Sequence, residues 1–489
     1  MKEKSIKRNY IYNVTYQVLI LIIPLITMPY VSRVLTANGV GAYSYGTSIS
    51  TYFVIAATLG STAFGQRAIS YVQGDIYERS RAFWELVIFR AVTVLISLGA
   101  YFILFSITLK NSGALYLILA LNVVNVFFDI SWFFQGLEEF GRIVLRNLIF
   151  KFLNLAAIFI FVRTVNDLNK YALILTGFTL LGNASLWPML KGKICKVKGL
   201  KPFRDLKVII QFFIPTVAIQ VYAVLDKSMI GWFTGSDAEN GFYSQAETIA
   251  KVALTVVTSL GTVMTPRIAR YFKEGNFKQM CEYLYKSYRF TFLLAVPMVF
   301  GLVAVASTLV PIFLGDGYEP CIELLQLFSL LVLFIGLSNV NGMQLFIPTG
   351  RQNMLTLTVT AGAVVNVILN LIFIPKLAAT GACIATVIAE AVVAAVGFVI
   401  IAKLKILNVG KVFLTSWKYF IAGGAMFCVV NFAVKPFVGV SVSGLVLLIL
   451  SGMVSYFLLL LILRDALLFD ALKSIKKRLF KKSAETENN

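Results

Sequence analysis

The chain of 489 residues contains no histidine. That removes imidazole proton relays, haem ligation through histidine and most zinc sites. Its five cysteines, Cys195, Cys281, Cys321, Cys383 and Cys428, stand far apart and form no ligand spacing. They read as small apolar residues of a membrane or a reducing compartment. No Gly-rich phosphate loop of the ATPase kind occurs, so ATP-driven pumping is not expected of this chain. Charge is scarce as well, at 14% of residues where soluble proteins carry about 25%. Hydrophobic residues make up 58%, against a norm near 45–50%. So few charges cannot cover a soluble globule holding that much Leu, Ile, Val and Phe. A soluble domain, a disordered chain and a secreted disulfide scaffold are excluded, and a polytopic membrane protein remains.

What is present is a series of long apolar runs. A span needs about 20 mostly apolar residues to cross about 30 Å of hydrocarbon. Fourteen such runs are expected, at 11–32, 42–65, 84–107, 113–135, 144–163, 171–190, 208–233, 243–265, 290–312, 321–347, 354–374, 378–402, 416–434 and 440–463. Each is continuous and far longer than the ten alternating residues of a barrel strand, so the expected class is all-α. The first run follows a basic leader but is long, carries Pro24 and Pro29, and has no small-x-small cleavage site. It reads as a true span rather than a signal peptide.

The net charge of +21 is mostly topology. With the N-terminus inside, 34 Lys and Arg fall on inner segments and six on outer loops: Arg33, Lys110, Arg163, Lys170, Lys376 and Lys435. Four lie within spans: Arg90, Lys151, Lys227 and Lys251. This bias places both termini on the cytoplasmic side of the membrane. Basic residues scattered over inner loops give no warrant for nucleic acid. The run from Lys473 to Lys482 is expected at anionic inner-leaflet lipids.

An internal repeat appears at an offset of two hundred residues. Gly41-Ala42-Tyr43-Ser44 is echoed by Gly241-Phe242-Tyr243-Ser244, Leu59-Gly60 by Leu260-Gly261, and Arg67 by Arg267. Ile23-Pro24 matches Ile214-Pro215. Spans one and two thus repeat as seven and eight, six helices on, which makes the repeats parallel. The expected organisation is a six-helix lobe over 1–190, a basic cytoplasmic linker over 191–207 and a second lobe over 208–402. Two extra spans over 403–464 and a charged tail over 465–489 complete it.

With these residues in view, the chain resembles the Wzx-type polysaccharide flippases, which transport O-antigen and capsule repeat units. They belong to the multidrug/oligosaccharidyl-lipid/polysaccharide exporter superfamily. The resemblance lies in the Pro29-to-Leu35 stretch, Gly39 to Ser44, Phe64-Gly65-Gln66-Arg67, Trp132 to Gly136, Asp226-Lys227, Gly241 to Ser244 and Thr265-Pro266-Arg267. It implies movement of an undecaprenyl-diphosphate-linked oligosaccharide from inner to outer leaflet, with no covalent chemistry. It also implies a polysaccharide polymerase and chain-length machinery as partners.

A charge in hydrocarbon is costly unless it meets water or a partner, so each buried one is a site candidate. The candidates for a cationic substrate cavity are Arg33, Arg67, Lys151, Asp226, Lys227, Glu247, Lys251 and Arg267. Asp226 and Lys227 point about 100° apart, so Lys227 can face a cavity while Asp226 bonds another helix. Glu247 and Lys251 are spaced for an ion pair. Arg67 and Arg267 flank matching helix ends; Arg33 ends span one outside, where it reaches either headgroups or a diphosphate. Arg90 reads as snorkelling to the inner surface. Asp129 and Glu390 are isolated acids that either bond a neighbour or couple to a cation. Tyr222, Asn339, Asn341 and Gln344 are groups able to meet sugar. Two rival functions stand: a cation-coupled multidrug exporter, which calls for acids in the cleft, and a lipid II flippase. No cofactor is expected, and sodium, protons or the membrane potential stand as alternative energy sources.

Overall fold

The computed structural model describes residues 6–108, 113–259 and 261–469, with side chains from Ile23 onward apart from those at 107–108 and several at 214–223 and 262–263. Lys2, Lys4, Lys110, the 473–482 lysine run and the side chain of Tyr222 lie outside the described residues. All regular structure among the described residues is helical. Nine helical segments among them are long and apolar enough to cross a membrane. The protein is an all-α polytopic membrane protein, as the apolar runs predict.

The helices gather into two compact units, Met1–Ser244 and Gln245–Asn489. The first begins with α1 (Ile6–Thr58). The sequence predicts a loop at 33–41, but only Thr36 leaves helical geometry, with φ 58°. A single residue in the left-handed region is enough to turn one span into the next. Leu59 and Gly60 then break the chain again, with φ 46° and 77°, before α2 (Ser61–Tyr71). Gly60 is required there because a Cβ would stand 2.6 Å from the Phe213 nitrogen and 2.8 Å from the Ile209 oxygen.

α3 (Ile76–Thr108) presents Leu95, Ile96 and Ile103 with more than 60% of their surface exposed, as befits a face toward hydrocarbon. The fourth span is expected as one helix and is built from three: α4 (Gly113–Leu119), α5 (Leu121–Phe128) and α6 (Ser131–Gly136). Asp129 stops α5 in an extended conformation, and its carboxylate accepts both the N–H and the O–H of Ser131. Arg90 does not snorkel to the surface. It is 1% exposed and donates to Ser61, Thr62 and the carbonyls of Val126 and Asp129, with its guanidinium 5.5 Å from the Trp132 ring. It ties the start of α2 to the end of α5. Trp132 joins Phe83, Phe133 and Phe134 in a fully buried aromatic core.

α7 (Phe140–Phe161) and α8 (Leu168–Ala184) follow. The basic linker after them is strapped to the start of α3. Arg79 donates to the Lys193 carbonyl, Cys195 N–H to Ser80 Oγ, Trp84 Nε1 to the Cys195 carbonyl, and Lys201 N–H to Glu85. α9 (Leu206–Thr234) and the first turns of α10 (Asp237–Thr258) complete the unit.

Here the sequence echo becomes a contact. A Cβ on Gly41 would lie 1.6 Å from the Asp237 oxygen, and one on Gly241 would lie 2.1 Å from the Ala37 oxygen. Each glycine faces the residue four before its counterpart, so the two repeat helices cross backbone to backbone in a reciprocal, two-fold manner. Ser48 and Ser228 share a hydrogen bond of 3.0 Å where α1 packs on α9.

The run expected as one helix over 243–265 is described as two, α10 ending at Thr258 and α11 (Gly261–Lys273) in the second unit. α12 (Phe277–Leu314) and α13 (Pro320–Asn339) lead to a π-helical turn at Val340–Phe346. α14 (Gln352–Lys403) bends once, at Ala378 with φ 48°, where the sequence places the start of span twelve. α15 (Val409–Leu414), α16 (Trp417–Cys428), a second π-turn and α17 (Val442–Ile462) end the described helices. A buried clasp closes them: Asp465, fully buried, accepts from Arg289 and Tyr419, each at 3.0 Å.

Candidate functional site

The first unit holds a half-open pocket of about 450 Å³ with mixed polar and apolar lining, within the usual range for ligand pockets. Its cationic wall is one face of α7. Arg146, Phe150, Lys151 and Asn154 recur at helical spacing and line it together. α8 supplies Thr176, Thr179 and Asn183, α5 supplies Asn122, and α1 supplies Tyr43. Gly182 lets α8 approach the Phe150 ring, since a Cβ there would already touch it at 3.2 Å.

Arg146 is 9% exposed and its guanidinium is fixed by amides, donating to Asn183 Oδ1 at 2.8 Å and Asn147 Oδ1 at 3.0 Å. Asn183 passes the chain to Asn125, and Asn125 to the Thr176 carbonyl. The amides orient the Arg146 guanidinium, and among the described residues no carboxylate lines the cavity. Two cations with surrounding amides and hydroxyls suit an anion carrying sugar hydroxyls.

Of the eight candidates read from sequence, Lys151 lines this cavity and the other seven do not. Arg33 is exposed on α1, with Nη1 on the Pro29 carbonyl at 2.9 Å. Asp226 is buried on α9 and accepts from Tyr243 Oη at 2.6 Å, the bond to another helix that its position allows. Lys227 beside it is half-buried. Glu247 and Lys251 form their ion pair at 2.6 Å, Glu247 buried and Lys251 exposed. Arg67 and Arg267 are exposed on α2 and α11, each over an aromatic ring. Asn341 is consumed by packing, accepting from Tyr288 Oη at 2.6 Å and donating to the Ala394 carbonyl. Sequence reasoning missed Arg146 by counting it with the inner segments, although it stands at the edge of the 144–163 run. The polar face of α7 was the signal that could have found it.

The fold is one shared by solved membrane flippases and exporters. The solved structure of lipid II flippase MurJ in an inward closed conformation superposes with TM-score 0.72, at 16% identity, covering 94% of this chain and 99% of that one. An inward-facing multidrug resistance MATE family transporter superposes with TM-score 0.61 at 16% identity, covering 79% and 98%. Within that class, residues 6–272 match the polysaccharide biosynthesis protein family, and the chain belongs to it. Residues 213–372 also match the MatE family. Among curated relatives, the "Putative O-antigen transporter" of Escherichia coli (strain K12) is 25% identical over 377 residues, spanning 75% of this chain and 89% of its own length. Its namesake in Shigella dysenteriae is 23% identical over 357 residues, spanning 71% and 87%. The protein is a membrane flippase or exporter and not an enzyme.

Proposed function

We propose that the protein flips an undecaprenyl-diphosphate-linked oligosaccharide repeat unit from the inner to the outer leaflet of the bacterial cytoplasmic membrane, by alternating access of two six-helix lobes within a fourteen-span topology. The observation that carries this reading is the α7/α8 cavity, with Arg146 and Lys151 on one wall, amides and hydroxyls around them and no acid among the described lining residues. A diphosphate and several hydroxyls must be hidden from about 30 Å of hydrocarbon, and such a lining lowers that cost. The likeness to O-antigen transporters supports the glycan load. A drug-cation exporter calls for carboxylates where this cavity has guanidinium and ammonium groups. Both termini lie in the cytoplasm by the 34-to-6 charge bias. Polymerase and chain-length proteins receive the flipped unit outside. An inside-negative potential drives an anionic head outward, contributing about 2.3 kcal/mol per charge per 100 mV.

Deletion of the gene tests the proposal. A lipid-linked oligosaccharide should accumulate facing the cytoplasm, and re-expression of the intact chain should clear it. Unchanged leaflet distribution of every lipid-linked sugar would refute the function.

A further inference from the structure

The inner ends of the two repeats carry a second matched feature, separate from the α7/α8 cavity. Arg67 and Tyr71 stand one turn apart on α2, and Arg267 and Tyr271 stand at the same spacing on α11, two hundred residues on. In the first unit, Arg67 Nε donates to Tyr71 Oη at 2.9 Å. Its guanidinium lies 5.3 Å from the Tyr71 ring centre and 5.7 Å from that of Phe212. In the second unit, Arg267 lies 5.9 Å from the Tyr283 ring centre, and the Tyr271 ring packs on that same ring at 5.3 Å. Lys286 adds a further cation 5.3 Å from Tyr283.

Both arginines are exposed. Among the described residues neither has a carboxylate at ion-pair distance, whereas Arg81, Arg142, Arg270 and Arg289 each hold one. A guanidinium seated on a ring is oriented without being neutralised, and its outer N–H edge stays available as a fork for phosphate oxygens. Tyr71 is 73% exposed, so most of its ring is open to a ligand as well. An arginine that served only to fix topology would need neither the ring nor its repetition in the second unit.

We propose that the two Arg-x-x-x-Tyr pairs are entry sites for the glycosyl-diphosphate head of the substrate. The guanidinium takes phosphate oxygens and the tyrosine stacks against the adjoining sugar ring. This rests on the flippase reading above and adds to it the place where the head group is first held.

The test uses the purified full chain in phosphatidylcholine nanodiscs, titrated with undecaprenyl diphosphate and with undecaprenyl-diphosphate-linked N-acetylglucosamine. Arg67→Ala/Arg267→Ala should weaken binding of both probes about tenfold or more, and Arg67→Lys/Arg267→Lys should recover only part of it. Tyr71→Leu should weaken the sugar-bearing probe several-fold more than bare diphosphate, since the diphosphate loses only the orientation of Arg67 while the sugar also loses its stacking ring. If the alanine pair unfolds, the lysine pair and Tyr71→Leu decide. Wild-type affinity in the variants that fold overturns the entry sites while leaving the flippase reading in place. Wild-type protein that binds neither probe overturns both. Displacement of both probes by phosphatidylglycerol added to the discs would assign the arginines to phospholipid headgroups and overturn the proposal.

Discussion

The reciprocal crossing of Gly41 and Gly241 makes a sharp prediction for a single methyl group. Gly41→Ala puts a carbon 1.6 Å from the Asp237 oxygen, where real Cβ atoms essentially never come closer than 3.0 Å. The helices must part by about 1.4 Å, and a gap of 0.5–1 Å already forfeits a quarter to a half of a dispersion contact. The Gly231–Tyr45 contact and the Ser48–Ser228 bond lie along the same face and open with it. Overpacking costs about 1–3 kcal/mol, and with these added losses the upper end is expected. At about 2–4 °C per kcal/mol for a unit of this size, Tm in detergent should fall by roughly 6–12 °C. Gly99→Ala is the matched control. It sits inside α3 with nothing within 4 Å of its would-be Cβ, so alanine there should be neutral or stabilising by about 0.5–1 kcal/mol. Thermal unfolding by intrinsic fluorescence compares the two. Gly41→Ala/Gly241→Ala should cost less than the sum of the single changes, because both act on one crossing. Equal melting of Gly41→Ala and Gly99→Ala would show that the backbones do not meet as described.

Arg146→Ala removes the cation held by Asn183 and Asn147, and export of the lipid-linked sugar should fall about tenfold or more, read as cytoplasm-facing substrate. A full export rate would remove Arg146 from the site. Asp465→Ala takes the carboxylate from the Arg289 guanidinium, and a cost of about 3–5 kcal/mol is expected, checked as loss of folded yield and Tm. Arg90→Ala strips hydrogen bonds from Ser61, Thr62 and two carbonyls, so destabilisation of about 3 kcal/mol or more is expected, with faster proteolysis near Leu59-Gly60 as the local readout.

Run length and charge bias were enough to read an all-helical membrane chain, because hydrocarbon permits little else to span it. The Leu59-Gly60 pair marked a real break, since left-handed backbone is costly anywhere but at such a point. Thr36 turns the chain inside the expected 33–41 gap and Ala378 at the expected start of the twelfth run, but that a single residue suffices for each turn was not legible. The turn at Asp129 depends on where Ser131 lies, which spacing alone does not reveal. Polar residues inside spans were visible as a set but not by direction. Lys151 faces the cavity, Asp226 faces Tyr243, and Arg90 faces the core. Arg146 was hidden by its nearness to a span end, where a basic residue is ordinarily topological.

The strap that binds residues 193–201 to the start of α3 also bears on how the chain is made. Every partner it uses, Arg79, Ser80, Trp84 and Glu85, precedes it in the sequence. The linker can therefore be seated before any residue beyond Lys201 has left the ribosome. Chains made at about 5–20 residues per second leave many seconds for that step before the second repeat is complete. Helices α1 to α8 then enter assembly with their trailing end already tied down, and α9 is inserted from a fixed point rather than from a loose tether.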